Sequence, residues 1–154
     1  DVNGGNLFRV SDNRIWLAEL HKDKITIYDD SLQVVRTIVG PDNYPLKYEE
    51  HKSNIPMGFI TFQNQTSYLA YSSWTVTDDA VYLIYEHLDG KAFDPTHFQP
   101  VELYRFDKEG NPEVCYQADR HLNTLSIDSK GEYLYTVTRN SSGDPVEFVR
   151  YKLK

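Results

Sequence analysis

The stretch "ITIYDDSLQVVRTI", residues 25–38, carries the reading of the fold. It consists of two runs rich in Ile, Val, Thr and Tyr around a short polar centre. β-Branched and aromatic residues suit a pleated, half-buried surface, and Asp and Ser bond locally to turn backbone, so the stretch reads as strand, turn, strand. The phrase returns as "LYRFDKEGNPEVCY", residues 103–116, and begins a third time as "FVRYKLK", residues 148–154, where it stops. Gly110 in the second copy falls where a tight turn calls for positive φ.

Each copy follows a predicted hairpin. "NLFRV" and "RIWLAEL" flank "SDN"; "YLAYSSWTV" and "AVYLIYEH" flank "TDD"; "LNTLSI" and "EYLYTVTR" flank "DSKG". The repeating unit is therefore four antiparallel strands, and the third unit lacks its fourth. The units span 6–39, 67–118 and 121–154 within one β-propeller-type domain, with an insertion over 40–66 and a shorter one over 88–100. About 40–50 residues per unit is the size of a propeller blade. The expectation is an all-β chain forming about three blades of a six-bladed propeller; an open β-sandwich or meander is the alternative. Three blades do not readily close a ring, and "FVRYKLK" would otherwise be an exposed edge. The expected remedies are a missing N-terminal half or a second copy of the chain in a homodimer. The one weak helical signal is a short turn within 45–53.

The totals exclude several classes. The chain has 154 residues, 40% of them hydrophobic, and 12 are Tyr. Its net charge of -7 argues against binding a nucleic-acid backbone, which requires clustered Lys and Arg. No apolar run approaches the ~18 residues of a transmembrane span. The single cysteine, Cys115, lies in a strand pattern and reads as a small buried hydrophobe. No cofactor or metal is expected: His/Cys spacing for zinc is absent, as are G-x-S-x-G, H-E-x-x-H and the phosphate-binding loop.

Candidate binding residues come from the long loops and the aromatic excess. The loop 40–59 offers Tyr44, Tyr48 and His51, and the loop 87–100 holds His87, Asp89, Asp94 and His97. Long loops often carry function. Tyr71 and Trp74 fall on the innermost strand of the second unit, and rings beside polar groups suit a sugar or a peptide. Tyr44, Tyr48, Tyr71, Trp74 and His97 are thus the candidate ligand-binding residues, with packing between units as the competing role of the aromatics. Arg9, Asn123 and Thr124 lie with Trp74 near inward-facing strand starts. "DDS" at 29–31 and "TDD" at 77–79 read as turn chemistry. Asn64 and Asn140 open N-x-S/T triplets without evident significance.

The blade phrases resemble the six-bladed, TolB-like β-propeller lipoproteins of Bacteroidetes. The resemblance is carried by "RVSDNRIWLAEL" (9–20), "ITIYDDSLQVVRTIVGPDNY" (25–44), "TDDAVYLIYEHLDGK" (77–91), "VELYRFDKEGNPE" (101–113) and "SIDSKGEYLYTVTR" (126–139). It implies a secreted, lipid-anchored protein located outside the cytoplasm, in the periplasm or on the outer cell surface, of which this chain is the C-terminal portion. It supplies no catalytic motif. The implied function is a non-catalytic scaffold for a protein or glycan ligand. The alternative is a hydrolase or lyase acting on a glycan at the channel mouth, with part of its site on blades outside this chain.

Overall fold

The computed structural model describes residues 4–42, 48–51, 59–62, 68–88, 100–138 and 147–153. Strands β1 (Gly5–Ser11), β2 (Arg14–Glu19), β3 (Lys24–Tyr28) and β4 (Val34–Val39) pair in chain order into one antiparallel sheet. β5 (Tyr48–His51) and β6 (Phe59–Phe62) form a separate hairpin. β7 (Leu69–Val76), β8 (Ala80–Leu88), β9 (Glu102–Asp107) and β10 (Pro112–Gln117) make the second four-stranded sheet. β11 (Ser126–Ile127), β12 (Tyr133–Thr138) and β13 (Glu147–Lys152) make a third sheet of three strands. The chain is all-β, with no helix among the described residues.

Of the segment 45–53, whose sequence suggested a helical turn, the described residues 48–51 are a strand. They pair with "FITF" at 59–62, from Tyr48 opposite Phe62 to His51 opposite Phe59. A lone helical turn is costly to nucleate, and a nearby β-branched and aromatic run offers a partner strand.

The sheets lie face to face in chain order and do not close on themselves. β8 shows why. Its residues alternate, so Val81, Leu83 and Tyr85 meet Phe8, Trp16, Ala18, Ile25 and Ile27 of the first sheet. Ala80, Tyr82 and Ile84 point the other way, into a core with Leu103, Leu122, Leu134 and Leu153. A strand buried on both faces reads as a nearly continuous apolar run, which "AVYLIY" is. Trp16 is the largest fully buried side chain, and its Nε1–H finds no acceptor among the described residues. That orphan costs about 1–3 kcal/mol. Burying the ring removes about 150–250 Å² from water, worth ~4–6 kcal/mol, so the core position wins.

Successive turns share one design. Asp29, Asp107 and Asp128 each accept two downstream backbone N–H groups at Oδ1. The residue three places on is left-handed in each: Leu32 at φ 60°, Gly110 at 87° and Gly131 at 68°. Thr77 closes the β7–β8 turn, its Oγ1 accepting from Ala80 N at 3.1 Å. The acidic pairs at 29–30 and 78–79 thus belong to turns. All these turns lie at one end of the strands. The connection 20–23 and the segments after β4 and β8 leave from the opposite end.

Two details depart from expectation. Cys115 is exposed, because β10 is an edge strand with little cover on either face. Its partial cover and the Glu102 carboxylate push the thiol pKa up, which keeps it protonated. In the third sheet only Ser126 and Ile127 form a ladder with β12. Upstream, Thr124 Oγ1 accepts from Val137 N at 3.0 Å, so a side chain continues what the ladder leaves off.

Candidate functional site

The strand end opposite the turns holds a linked set of tyrosines and carboxylates. Asp23, in the β2–β3 connection, is fully buried. Its Oδ1 accepts from the Tyr71 hydroxyl at 2.9 Å and its Oδ2 from Asp42 N at 3.1 Å. The segment Gly40–Pro41–Asp42 wraps this carboxylate closely. A Cβ on Gly40 would stand 2.1 Å from both Asp23 oxygens, so only glycine fits. No Lys or Arg pairs with Asp23 among the described residues; neutral donors hold it.

Asp42 extends the network outward. Its Oδ2 accepts from the Tyr85 hydroxyl at 2.5 Å and lies 2.8 Å from His87 Nδ1. His87 is exposed and has φ 51°, a left-handed turn at the end of β8 that swings its ring beside Tyr85. Tyr104 donates to Glu102 Oε2 at 2.7 Å at the start of β9. Burial, reinforced by Asp23, raises the Tyr71 pKa far above the ordinary phenol range. Burial and Glu102 do the same for Tyr104. Both hydroxyls therefore remain donors at any physiological pH.

On the other face of β8, Glu86 is buried between Ser72, whose hydroxyl lies 2.5 Å from Oε1, and His121, whose Nε2 lies 2.9 Å from Oε2. Lys24 Nζ meets the buried Glu19 at 2.9 Å. Beside His87 a cleft of about 220 Å³ opens, lined by His87, Pro100, Val101, Glu102, Gln117 and Ala118. Among the described residues no group of three or more His, Cys, Asp or Glu is placed to hold a metal.

Of the candidates read from sequence, Tyr71 lies inside this network. Trp74 does not. It stacks on Phe8 with centroids 4.3 Å apart and is 38% exposed. The two are joined by a run of rings through the core: Phe8, Trp16, Phe106, Tyr104 and Tyr85. Their strand, β7, touches the first strands of both other sheets, β1 and β11. Tyr44 and His97 lie outside the described residues. Tyr48 lies in β5, and its side chain is outside them too. Arg9 donates to Asp12 O and Thr124 caps β12, so both serve the backbone.

Sequence reading missed Asp23, Asp42 and Tyr85, and it placed His87 at the end of a strand run and the start of a loop without a binding role. One signal was available. His21 and His87 occupy matching positions in "RIWLAELH" and "AVYLIYEH", the first just past β2 and the second near the end of β8, which marks that end as a recurrent polar position. His21 Nδ1 duly sits 2.8 Å from Tyr68 O. Among the described residues no helix is long and apolar enough to cross a membrane. No protein-family model matches the chain, and neither does any curated protein.

Proposed function

We propose that this chain is part of a propeller-type, non-catalytic binding module of the TolB-like kind. It works in the bacterial cell envelope, outside the cytoplasm, and holds a protein or glycan ligand at the loop end of its sheets. The repeat of a four-stranded unit, stacked face to face, supports the propeller reading. The observation that carries the binding reading is the run Tyr71–Asp23 and Tyr85–Asp42–His87 beside the cleft at His87. Each phenol is spent on a carboxylate, so the surface has a fixed shape before any ligand arrives. Preformed clefts that combine rings with a few oriented polar groups suit sugar hydroxyls and basic peptide side chains. The test is amide chemical-shift mapping of the purified chain against a panel of soluble oligosaccharides and a Lys/Arg-rich peptide. Shifts clustered at Tyr85, His87, Glu102 and Gln117, and weakened by Asp42→Asn, are expected. Shifts confined to the turn end would overturn the placement.

One contact favours a second reading. Asp42 beside His87 Nδ1 at 2.8 Å is how a carboxylate orients an imidazole for proton transfer. On that reading the site belongs to a glycan hydrolase or lyase. Release of new reducing ends by the wild-type chain, abolished by His87→Ala, would establish it in place of the binding module.

A further inference from the structure

The three sheets use equivalent positions to meet one another, and the described residues leave exposed apolar side chains on the outer faces of the first and third sheets. On the second sheet, Val81 and Leu83 of β8 pack against the first sheet and are fully buried. Their equivalents on the first sheet are Ile15 and Leu17, one strand position for one, in "RIWLAELH" against "AVYLIYEH". These two share the outer face with Leu7, which is 66% exposed, and with Val34 and Val39.

The third sheet is the converse. The cross-strand pairs Tyr135–Arg150 and Val137–Phe148 lie on its outer face. Tyr135 occupies the position of Trp16 and Tyr82, and Phe148 that of Ile25 and Leu103. All four of those are buried, whereas Tyr135 is 45% and Phe148 89% exposed. The two open faces are thus the two halves of an interface that the chain already builds twice.

Charge and backbone strain agree with this. In the second sheet the turn 107–111 docks on the sheet before it, with Gly110 over Ile27. The equivalent turn of the first sheet, 29–33, has no sheet before it among the described residues. It presents Asp30 and an exposed Leu32 held at φ 60°. A leucine in the left-handed region is uncommon. The position equivalent to Ile27 on the open face of the third sheet is Arg150, with Lys152 on the same face.

We propose that the chain pairs head to tail with a second copy, the outer face of the first sheet of each copy covering the outer face of the third sheet of the other. Leu7, Ile15 and Leu17 pack on Tyr135, Val137 and Phe148. Leu32 and Asp30 reach Arg150 and Lys152. Two such contacts related by a two-fold axis close the pair, which removes both open faces at once. The inference stands on the repeated sheet faces, so failure of the ligand reading leaves it untouched.

The experiment is light scattering of the purified chain over a range of concentrations, with reductant present because Cys115 is exposed. A mass of twice 17.9 kDa is expected. Phe148→Asp and Leu17→Asp should each weaken pairing about tenfold or more. Phe148 is almost fully exposed in the single chain, so a near-UV spectrum unchanged in the dilute Phe148→Asp variant excludes unfolding as the cause. Mixing the two variants restores one intact contact, and the mixture should pair more tightly than either alone. A monomer at every concentration, a mass that rises without limit, or a mixture no tighter than its parts would each overturn the proposal.

Discussion

The turns at 29–33 and 107–111 are the same object in two surroundings. In both, the Asp backbone N bonds to the carbonyl four residues on at 3.0 Å. In both, the fourth residue returns a bond to the Asp carbonyl at 3.1 Å. In both, Oδ1 accepts at 3.0 Å and 2.8 Å from the N–H groups two and four residues on. Yet the fourth residue is an exposed Leu32 in one and a buried Gly110 in the other. A Cβ at Gly110 would lie 2.5 Å from Ile27 Cδ1. Arg36 Nη1 also clasps that turn, 3.1 Å from Glu109 O and 2.8 Å from Asn111 Oδ1. The Asp side chain writes the local geometry, and the neighbouring sheet selects the residue at its tightest point.

Gly110→Val should have the largest effect. It combines left-handed strain of about 1–3 kcal/mol with overpacking against Ile27 of similar size. A loss of about 3–5 kcal/mol should appear as a large fall in the thermal midpoint. An unchanged midpoint would mean that the turn does not dock.

Removing the shared feature should affect both turns alike. Asp107→Ala and Asp29→Ala should each cost about 1–2 kcal/mol in denaturant titrations, since each orphans backbone N–H groups. Hydrogen bonds from the Asn111 side chain and backbone hold the Asp107 carboxyl below the ordinary carboxylate range. Its folded pKa is thus lower than its unfolded one. The stability it contributes is present above pH ~4 and is lost as pH falls through the folded value. Asp107→Ala should therefore flatten the acid limb of a stability–pH curve below pH ~4. An unaltered limb would assign acid sensitivity to other carboxylates.

The smallest effect belongs to Leu32→Gly. Relief of left-handed strain, offset by the greater freedom of glycine in the unfolded chain, should stabilise the dilute chain by at most about 1 kcal/mol. The same change should weaken self-pairing at high concentration. Urea midpoints measured at two protein concentrations separate the two effects, and a loss of stability at dilution would contradict the exposure of Leu32.

Much of the fold was legible because its causes are local. β-Branched and aromatic runs bounded by turn residues marked β1–β4, β7–β10, β12 and β13, and the D-x-x-G spacing marked Gly110 and Gly131 as turn residues. The hairpin β5–β6 was not legible, because "KYEEHKS" has no strand character until "FITF" lies beside it. Exposure of Cys115 was equally hidden, since a strand pattern does not say which strand ends a sheet.

The candidate site was the least readable part. The pairing of Tyr71 with Asp23 spans 48 residues, and that of Asp42 with Asp23 spans 19. A buried carboxylate is stable only where donors from distant segments converge on it, and no local pattern announces that convergence. Strand order, turn chemistry and the repeating unit were thus written along the chain. Which faces are covered, why Gly40 must be glycine, and that Tyr71 serves a carboxylate while Trp74 serves a ring stack arose only when separate segments came within bonding distance.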